Sequence, residues 1–229
     1  RNGGCGVCFG PILLSIIPST FASIKKLQTN KQLWVFNFAK LDKTIDPYYG
    51  AAQSIYSDEY QWETVDGPVG YKLEVPPLQP GLVSVLMLGH GARHFEDMQD
   101  LPNTHSMIAL LRDGFNEESQ GGEIELASDG SPGVNYEVND YLWDGFQRTF
   151  LKMAEIEFAA GAKAVRASHL DFPWYTSWEE AKEGIPKLEF RLNAFTAASA
   201  HVVGGTYHYP DNLWVVDGSA FPPRHSSNP

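Results

Sequence analysis

The segment between Asn139 and Gly161 constrains the fold most, because it carries the longest regular pattern in the chain. Its large apolar residues recur at spacings of three and four, the repeat of one helix face. Asn139 is a favourable N-cap and Gly161 supplies a C-terminal stop, which together predict a helix over residues 140–160. A helix of this kind is stable when a packed layer covers its apolar face. The apolar face consists of Leu142, Trp143, Phe146, Phe150, Met153, Ala154 and Phe158.

Several short segments outside this helix have the composition of β-strands. They are rich in aromatic and β-branched residues and are bounded by Asp, Pro or Gly. Residues 123–126 and 134–138 alternate with period two, and the turn at 128–132 between them predicts a hairpin. Residues 82–98 predict one or two short helices. The whole pattern predicts an α+β fold, with a mostly antiparallel sheet of about five or six strands and the long helix across one face. The other strand candidates are residues 34–38, 54–56, 70–75, 107–111 and 164–167.

The two ends of the chain differ in character from this central unit. Residues 5–14 predict a short strand, and Pro18-Ser19-Thr20 predicts the start of a helix that ends near Asn30. Residues 201–203 and 213–216 again have strand character. We therefore expect the ends to belong to something other than the central unit and to pair with each other.

Composition limits the classes of function. Hydrophobic residues make up 43% of the 229 residues and aromatic residues 13%, which predicts a packed interior or a large apolar pocket. The formal net charge of −11 argues against nucleic acid and against anionic membrane surfaces as partners. The apolar run over residues 7–24 is interrupted by Pro and Ser, so we expect no clear membrane span.

Few features address the cellular compartment. Cys5 and Cys8 are the only cysteines, so no disulfide framework holds the fold together. Arg1-Asn2 is followed by glycines rather than by a basic region that leads into an apolar stretch, so we expect no secretory signal. The compartment stays undecided, with an intracellular location slightly favoured. The chain starts without Met and stops abruptly at residues 226–229, which leads us to expect a piece of a larger protein.

The most specific pattern lies in the last 34 residues. A His precedes paired glycines, an Asp-Gly-Ser turn follows, and an Asn stands eleven residues after that Asp. The motifs are residues 199–205 (SAHVVGG), 212–222 (NLWVVDGSAFP) and 228–229 (NP). In this order they resemble the closing signature of the glucose-methanol-choline (GMC) oxidoreductases.

The resemblance implies FAD as the cofactor and oxidation of an alcohol to a carbonyl compound, with hydride transfer to flavin N5. His201 would lie over the flavin ring as the catalytic base, and Asn228 would complete the active site as a second catalytic residue. The turn at Asp217 would approach the ribityl and phosphate part of the cofactor. The residues implied to contact FAD are Gly204, Gly205, Asp217, Gly218, Asn228 and Pro229.

The chemistry of these residue types fits such a reaction on general grounds. Oxidation removes a hydroxyl proton and a hydride, so a neutral imidazole within reach of the O–H can act as the base. The uncharged amide of Asn228 can stabilise the developing alkoxide without competing for its proton. The alternative from the residues alone is that His201 is simply buried on a strand and that the terminal Asn228 has no role.

Weaker matches extend the resemblance over nearly the whole chain, as the second half of a family member. Their order is that of the long-chain (fatty) alcohol oxidases, with the cholesterol-oxidase-like branch as the nearest alternative, so an apolar alcohol is the expected substrate. The implied division is a partial, Rossmann-like FAD-domain segment over residues 1–31, a substrate-binding domain over 32–195 and a return segment to the FAD domain over 196–229. The weaker matches include residues 49–54, 70–74, 111–113, 129–132 and 159–162.

A second class of function stays open, namely a cofactor-less binding module for an apolar ligand. Residues 4–10 only approach the glycine fingerprint of an FAD domain, because the third glycine stands one place late. If both ends of the chain are pieces of an FAD domain, we expect exposed apolar surface to cause self-association. No metal site is expected. His90 and His94 lack a Glu between them, and the Cys5-x-x-Cys8 pair has no second pair.

Overall fold

One long strand organises the fold. The computed structural model of the chain describes residues 27–51, 53–61, 67–114, 116, 118, 121–199 and 202–203. The strands are β1 (Leu27–Lys40), β2 (Tyr56–Ser57), β3 (Tyr71–Glu74), β4 (Thr104–Arg112), β5 (Gly122–Leu126), β6 (Pro132–Tyr136), β7 (Ala164–Ala167), β8 (Ala197–Ala198) and β9 (Val202–Val203). The helices are α1 (Pro80–Leu86), α2 (Gly91–Gln99), α3 (Asp140–Ala159) and α4 (Trp178–Gly184), with single 3₁₀ turns at Leu101–Asn103 and Ile185–Lys187.

Strand β1 is hydrogen-bonded along both of its edges. It pairs with β4 from Gln32 to Lys40, and the same part of β1 pairs with β7 and β8, which therefore lie on the opposite edge. Its first residues pair with β5 and β9. The longest path through the sheet runs β2-β3-β4-β1-β5-β6, and every pair among the described strands is antiparallel. The predicted α+β class with an antiparallel sheet is confirmed.

Helices cover both faces of the sheet around β1 and β4. Val35 and Ala39 of β1 belong to an apolar cluster that includes the buried face of α3. Phe36 and Phe38 point to the other face and pack in a second cluster with residues of α1. The sequence predicted only the long helix on one face, and the second layer is an addition from the structure. Because both faces are covered, residues 33–39 of β1 and 107–111 of β4 are mostly apolar on both sides of the strand.

Helix α3 begins and ends as its sequence predicts. The Asn139 side chain accepts a hydrogen bond from the backbone N–H of Leu142 at 3.2 Å. Gly161 adopts a φ of 94°, the left-handed conformation that glycine tolerates best after a helix. Gly145 lies where α3 approaches the sheet, and a Cβ at this position would overlap the Val69 side chain. Phe150 is fully buried on the same helix, so α3 is held close to the sheet.

The predicted hairpin is present as β5 and β6. In its turn, the backbone N–H of Ala127 donates to Ser131 O at 2.8 Å, and Asp129 Oδ1 accepts from the Ser131 N–H at 2.9 Å. Strand β5 also pairs with the first residues of β1, so the hairpin extends the sheet.

The predicted helix ending near Asn30 is wrong for residues 27–30, which form the beginning of β1. These residues pair with β5 and β9, which lie far away in sequence. Non-local pairing of this kind overrides local propensity, because the partners supply the backbone hydrogen bonds. The predicted strand at 5–14 and the rest of that helix lie outside the described residues. Within the described part of the chain, no helix is both long and apolar enough to cross a membrane.

The packing of α3 can be tested by substitution of Phe150. Phe150→Ala should lower the free energy of unfolding by about 3–5 kcal/mol, because it leaves a cavity in a closed core. Urea denaturation measures this loss. Val85→Ala on α1 is the control, since Val85 is 71% exposed and its loss should stay within about 0.5 kcal/mol. A loss below about 1 kcal/mol for Phe150→Ala would contradict the packing described for α3.

Candidate functional site

The residues that the GMC resemblance assigns to the active site lie outside the described residues. They are His201, Gly204, Gly205, Asp217, Gly218, Asn228 and Pro229. The structure therefore does not address whether His201 and Asn228 come together. It does describe the strands on either side of His201.

Strands β8 and β9 flank His201 in sequence, and both pair with β1. Ala198 lies opposite Trp34, and Val202 lies opposite Lys31. Between these two pairs the chain advances four residues on the β8–β9 side and three residues on β1. The register therefore shifts by one residue, as it does at a β-bulge, a feature that is common next to active sites.

Two buried polar atoms lie close to this register shift. The Ser199 hydroxyl follows β8 directly, and the Trp34 indole N–H lies on β1 opposite β8. Neither atom has a hydrogen-bond partner among the described residues. A buried polar group without a partner is costly, so these two positions are places where a further hydrogen-bonding group would stabilise the protein.

A polar cluster lies on the α3 face of the sheet, at the other end of β1. It consists of Glu157 on α3, Asn37 on β1 and His105 on β4. Glu157 Oε1 lies 4.0 Å from His105 Nδ1, too far for a direct hydrogen bond. Asn37 Nδ2 donates to Phe150 O at 3.2 Å. Neither carboxyl oxygen of Glu157 has a hydrogen-bond partner among the described residues.

Burial sets the protonation of this cluster. It raises the pKa of Glu157 well above its ordinary value, while the neighbouring Asn37 side chain opposes the shift. Burial also lowers the pKa of His105. Both shifts favour the uncharged form of the group, because a charge is poorly solvated in an apolar interior. The direction of both pKa shifts therefore favours a neutral pair over an ion pair.

A pocket of about 180 Å³ opens beside His105. It lies between the loop formed by residues 45–51 and 53–55, the segment that follows β3 and the start of β4. We call it the His105 pocket. The lining side chains that carry a polar group are Tyr49, Ser54, His105 and Ser106, and Ser106 Oγ donates to Asn37 O at 2.7 Å. The apolar lining is formed by Ile45, Pro47, Ile55, Val75, Pro76 and Pro77.

The loop along this pocket is both anchored and strained. The backbone N–H groups of Ile45 and Asp46 donate to Pro102 O at 2.9 and 3.0 Å, and Pro47 O accepts from Leu78 N–H at 2.9 Å. Asp46 and Gln53 have φ values of 47° and 50°, in the left-handed region that residues other than glycine rarely adopt. Such strain persists where the surrounding structure enforces it, and it is concentrated at functional sites.

A second cluster, around Asp97, is satisfied within the fold. Asp97 Oδ2 lies 2.8 Å from Arg166 Nη1, and Asp97 Oδ1 lies 3.3 Å from Lys40 Nζ and accepts from Trp174 Nε1 at 2.9 Å. Arg166 also donates to Leu88 O. The cluster connects α2 with β1 and β7, which explains it as a structural tie.

His169 is also explained by structure. Its Nδ1 accepts from the Asp171 N–H at 3.1 Å, and its Nε2 lies 3.1 Å from Glu189 O. The ring stacks on Phe195 at an interplanar angle of 11°. Both ring nitrogens are engaged, so His169 is a packed core histidine.

The described residues contain no group of three or more His, Cys, Asp or Glu side chains that could hold a metal ion. His90 is exposed at the N-terminus of α2, and His94 follows one turn later. Cys5 and Cys8 lie outside the described residues.

Sequence reasoning missed both Glu157 and His105. Glu157 could have been found, because it stands four residues after Met153 and seven after Phe150 and so falls on the buried face of α3. His105 gave no such signal, since only the folding of the loop formed by residues 45–51 and 53–55 places a pocket beside it.

No model of a known protein family matches this chain, and a search of curated proteins finds no match.

The protonation of Glu157 has a measurable consequence. Above its ordinary pKa of 4.5, Glu157 ionises in the unfolded chain while the folded protein still holds the proton. Stability should therefore fall as the pH rises towards the raised folded pKa, by at most about 1.4 kcal/mol per pH unit. Glu157→Gln removes this titration. The free energy of unfolding of Glu157→Gln, measured relative to that of the wild type, should therefore rise with pH.

Urea denaturation of both proteins at several pH values from about 4 to 8 measures this difference. Glu183→Gln, at an exposed position of α4, is the matched control for the loss of one carboxyl group. A difference between Glu157→Gln and the wild type that does not change with pH would contradict a buried, protonated Glu157.

Proposed function

We propose that this chain is the substrate-binding part of an FAD-dependent alcohol oxidoreductase of the GMC type, with a long-chain or otherwise apolar alcohol as substrate. The carrying observation is that β8 and β9 both lie along β1. The segment that leads into Gly204-Gly205 therefore returns to the strand that continues the N-terminal segment. A cofactor domain that is assembled from both ends of a chain requires the C-terminal segment to come back beside the N-terminal one. The pairing of β9 with the first residues of β1 therefore supports the proposal.

Under this proposal, His201 accepts the hydroxyl proton of the alcohol and Asn228 holds the oxygen as negative charge develops. Bound FAD supplies the acceptor for the hydride. Gly204, Gly205 and Gly218 allow backbone N–H groups to approach the cofactor, because no Cβ stands in the way. The register shift before β9 supports a role for this segment, since a bulge changes the direction in which a side chain points.

The test uses the protein encoded by the complete gene, purified with FAD. His201→Ala should lower alcohol oxidation by roughly 100-fold to 10,000-fold, the usual cost of losing a positioned base, while the flavin content is unchanged. Asn228→Ala should lower it less, because water can partly replace an amide donor. His94→Ala is the matched control for the loss of an imidazole and should leave turnover unchanged.

Two outcomes would contradict the proposal. Near-normal turnover by His201→Ala would show that His201 is not the base. A wild-type protein that has no flavin absorbance and yet binds a fatty alcohol would favour the cofactor-less binding module instead.

A further inference from the structure

We propose that the His105 pocket is a binding site for a small neutral alcohol or phenol. This site is separate from the one that the proposed function requires. His105 lies near Ala39, its partner on β1, whereas β9 lies opposite Lys31. Eight residues of extended strand between these positions span roughly 26 Å. Binding in this pocket therefore does not depend on FAD or on His201.

The size of the pocket selects the size of the ligand. A cavity of about 150 Å³ is enough to hold one benzene molecule in an apolar protein interior. At about 180 Å³, the His105 pocket suits a single aromatic ring or a short alkyl chain with one added hydroxyl group. Long acyl chains and sterols are too large to be enclosed by it.

The lining selects a neutral ligand with one polar group. Among the described residues that line the pocket, none is Asp, Glu, Lys or Arg, so nothing there would compensate a charged ligand. Most of the lining is apolar, and Ser106 Oγ is already engaged with Asn37 O. Tyr49 and Ser54 are exposed, so His105 is the remaining polar side chain that is partly buried.

His105 can recognise a hydroxyl group. Its Nδ1 is the nitrogen on the side of Glu157, at 4.0 Å, and the ring forms no hydrogen bond with the described residues. We expect a bound molecule to meet Nε2, because Glu157 lies on the Nδ1 side of the ring. An alcohol or phenol can both donate and accept, so it matches either tautomer of a neutral imidazole. A hydrocarbon of the same size cannot make this contact.

The loop formed by residues 45–51 and 53–55 is held in place along the pocket by backbone hydrogen bonds. It is fixed at Pro102 and Leu78, and it keeps Asp46 and Gln53 in strained conformations. Tyr49 is 90% exposed and Ile55 is 70% exposed at the same place. Exposure of apolar side chains to water is unfavourable. A bound apolar molecule would cover these side chains and so reduce the unfavourable free energy.

Titration of the 229-residue chain with phenol and with benzene tests the proposal, by calorimetry and by ligand-observed NMR. Phenol should bind at one saturable site with a millimolar or tighter dissociation constant. Benzene should bind roughly three- to tenfold more weakly, because it lacks the hydroxyl group. Absence of saturable phenol binding would overturn the proposal, as would equal binding of the two compounds.

Two variants locate the binding site. Ala51→Trp places a large ring at an exposed lining position and should weaken phenol binding at least tenfold, whereas Ala92→Trp on α2, outside the pocket, should leave it unchanged. His105→Phe should remove the preference for phenol over benzene, with His90→Phe as its control. Circular dichroism melts verify folding. If His105→Phe fails to fold, Ala51→Trp still tests whether phenol binds in this pocket. Undiminished phenol binding by Ala51→Trp would overturn the proposal.

Discussion

The hydrogen bonding of β1 along both of its edges is the constraint on which the rest of the structure depends. β1 pairs with five other strands, and the last described residues, in β8 and β9, lie against it. Its side chains alternate between two apolar clusters, so one strand contributes to the core on both faces of the sheet. A change that breaks the alternation of β1 would expose one cluster and disrupt the other, because a shift of one residue moves every side chain to the opposite face.

The same strand separates the two places where chemistry is expected. Residues 30–35 of β1 pair with β9 and β8, which flank His201. The cluster of Asn37, His105 and Glu157 lies nearer the end of β1. The first place is where a GMC-type active site would be completed by residues from both ends of the chain. The second place is formed entirely within the described residues. There burial raises the pKa of Glu157 and lowers the pKa of His105, and both shifts favour the uncharged side chains.

Sequence reasoning succeeded where the signal was local and long. The period of α3, its Asn139 cap and its Gly161 stop required no knowledge of the rest of the fold, and the turn between β5 and β6 was equally local. It failed at residues 27–30, whose strand conformation depends on partners near residues 122 and 203. For the candidate site, helical spacing marks Glu157 as buried, but no local pattern marks His105 as lining a pocket.

The sequence by itself determined the α+β class, the antiparallel strands, the long helix and the residues that resemble a GMC closing motif, because periodicity, caps and motif spacing are properties of neighbouring residues. Only the tertiary structure decided that helices cover both faces of the sheet, that β1 is its centre and that β8 and β9 return to it. Only the tertiary structure placed Glu157 near His105, and a strained loop along the pocket that His105 lines. These contacts join residues that are tens of positions apart, and their geometry is set by packing that no single segment encodes.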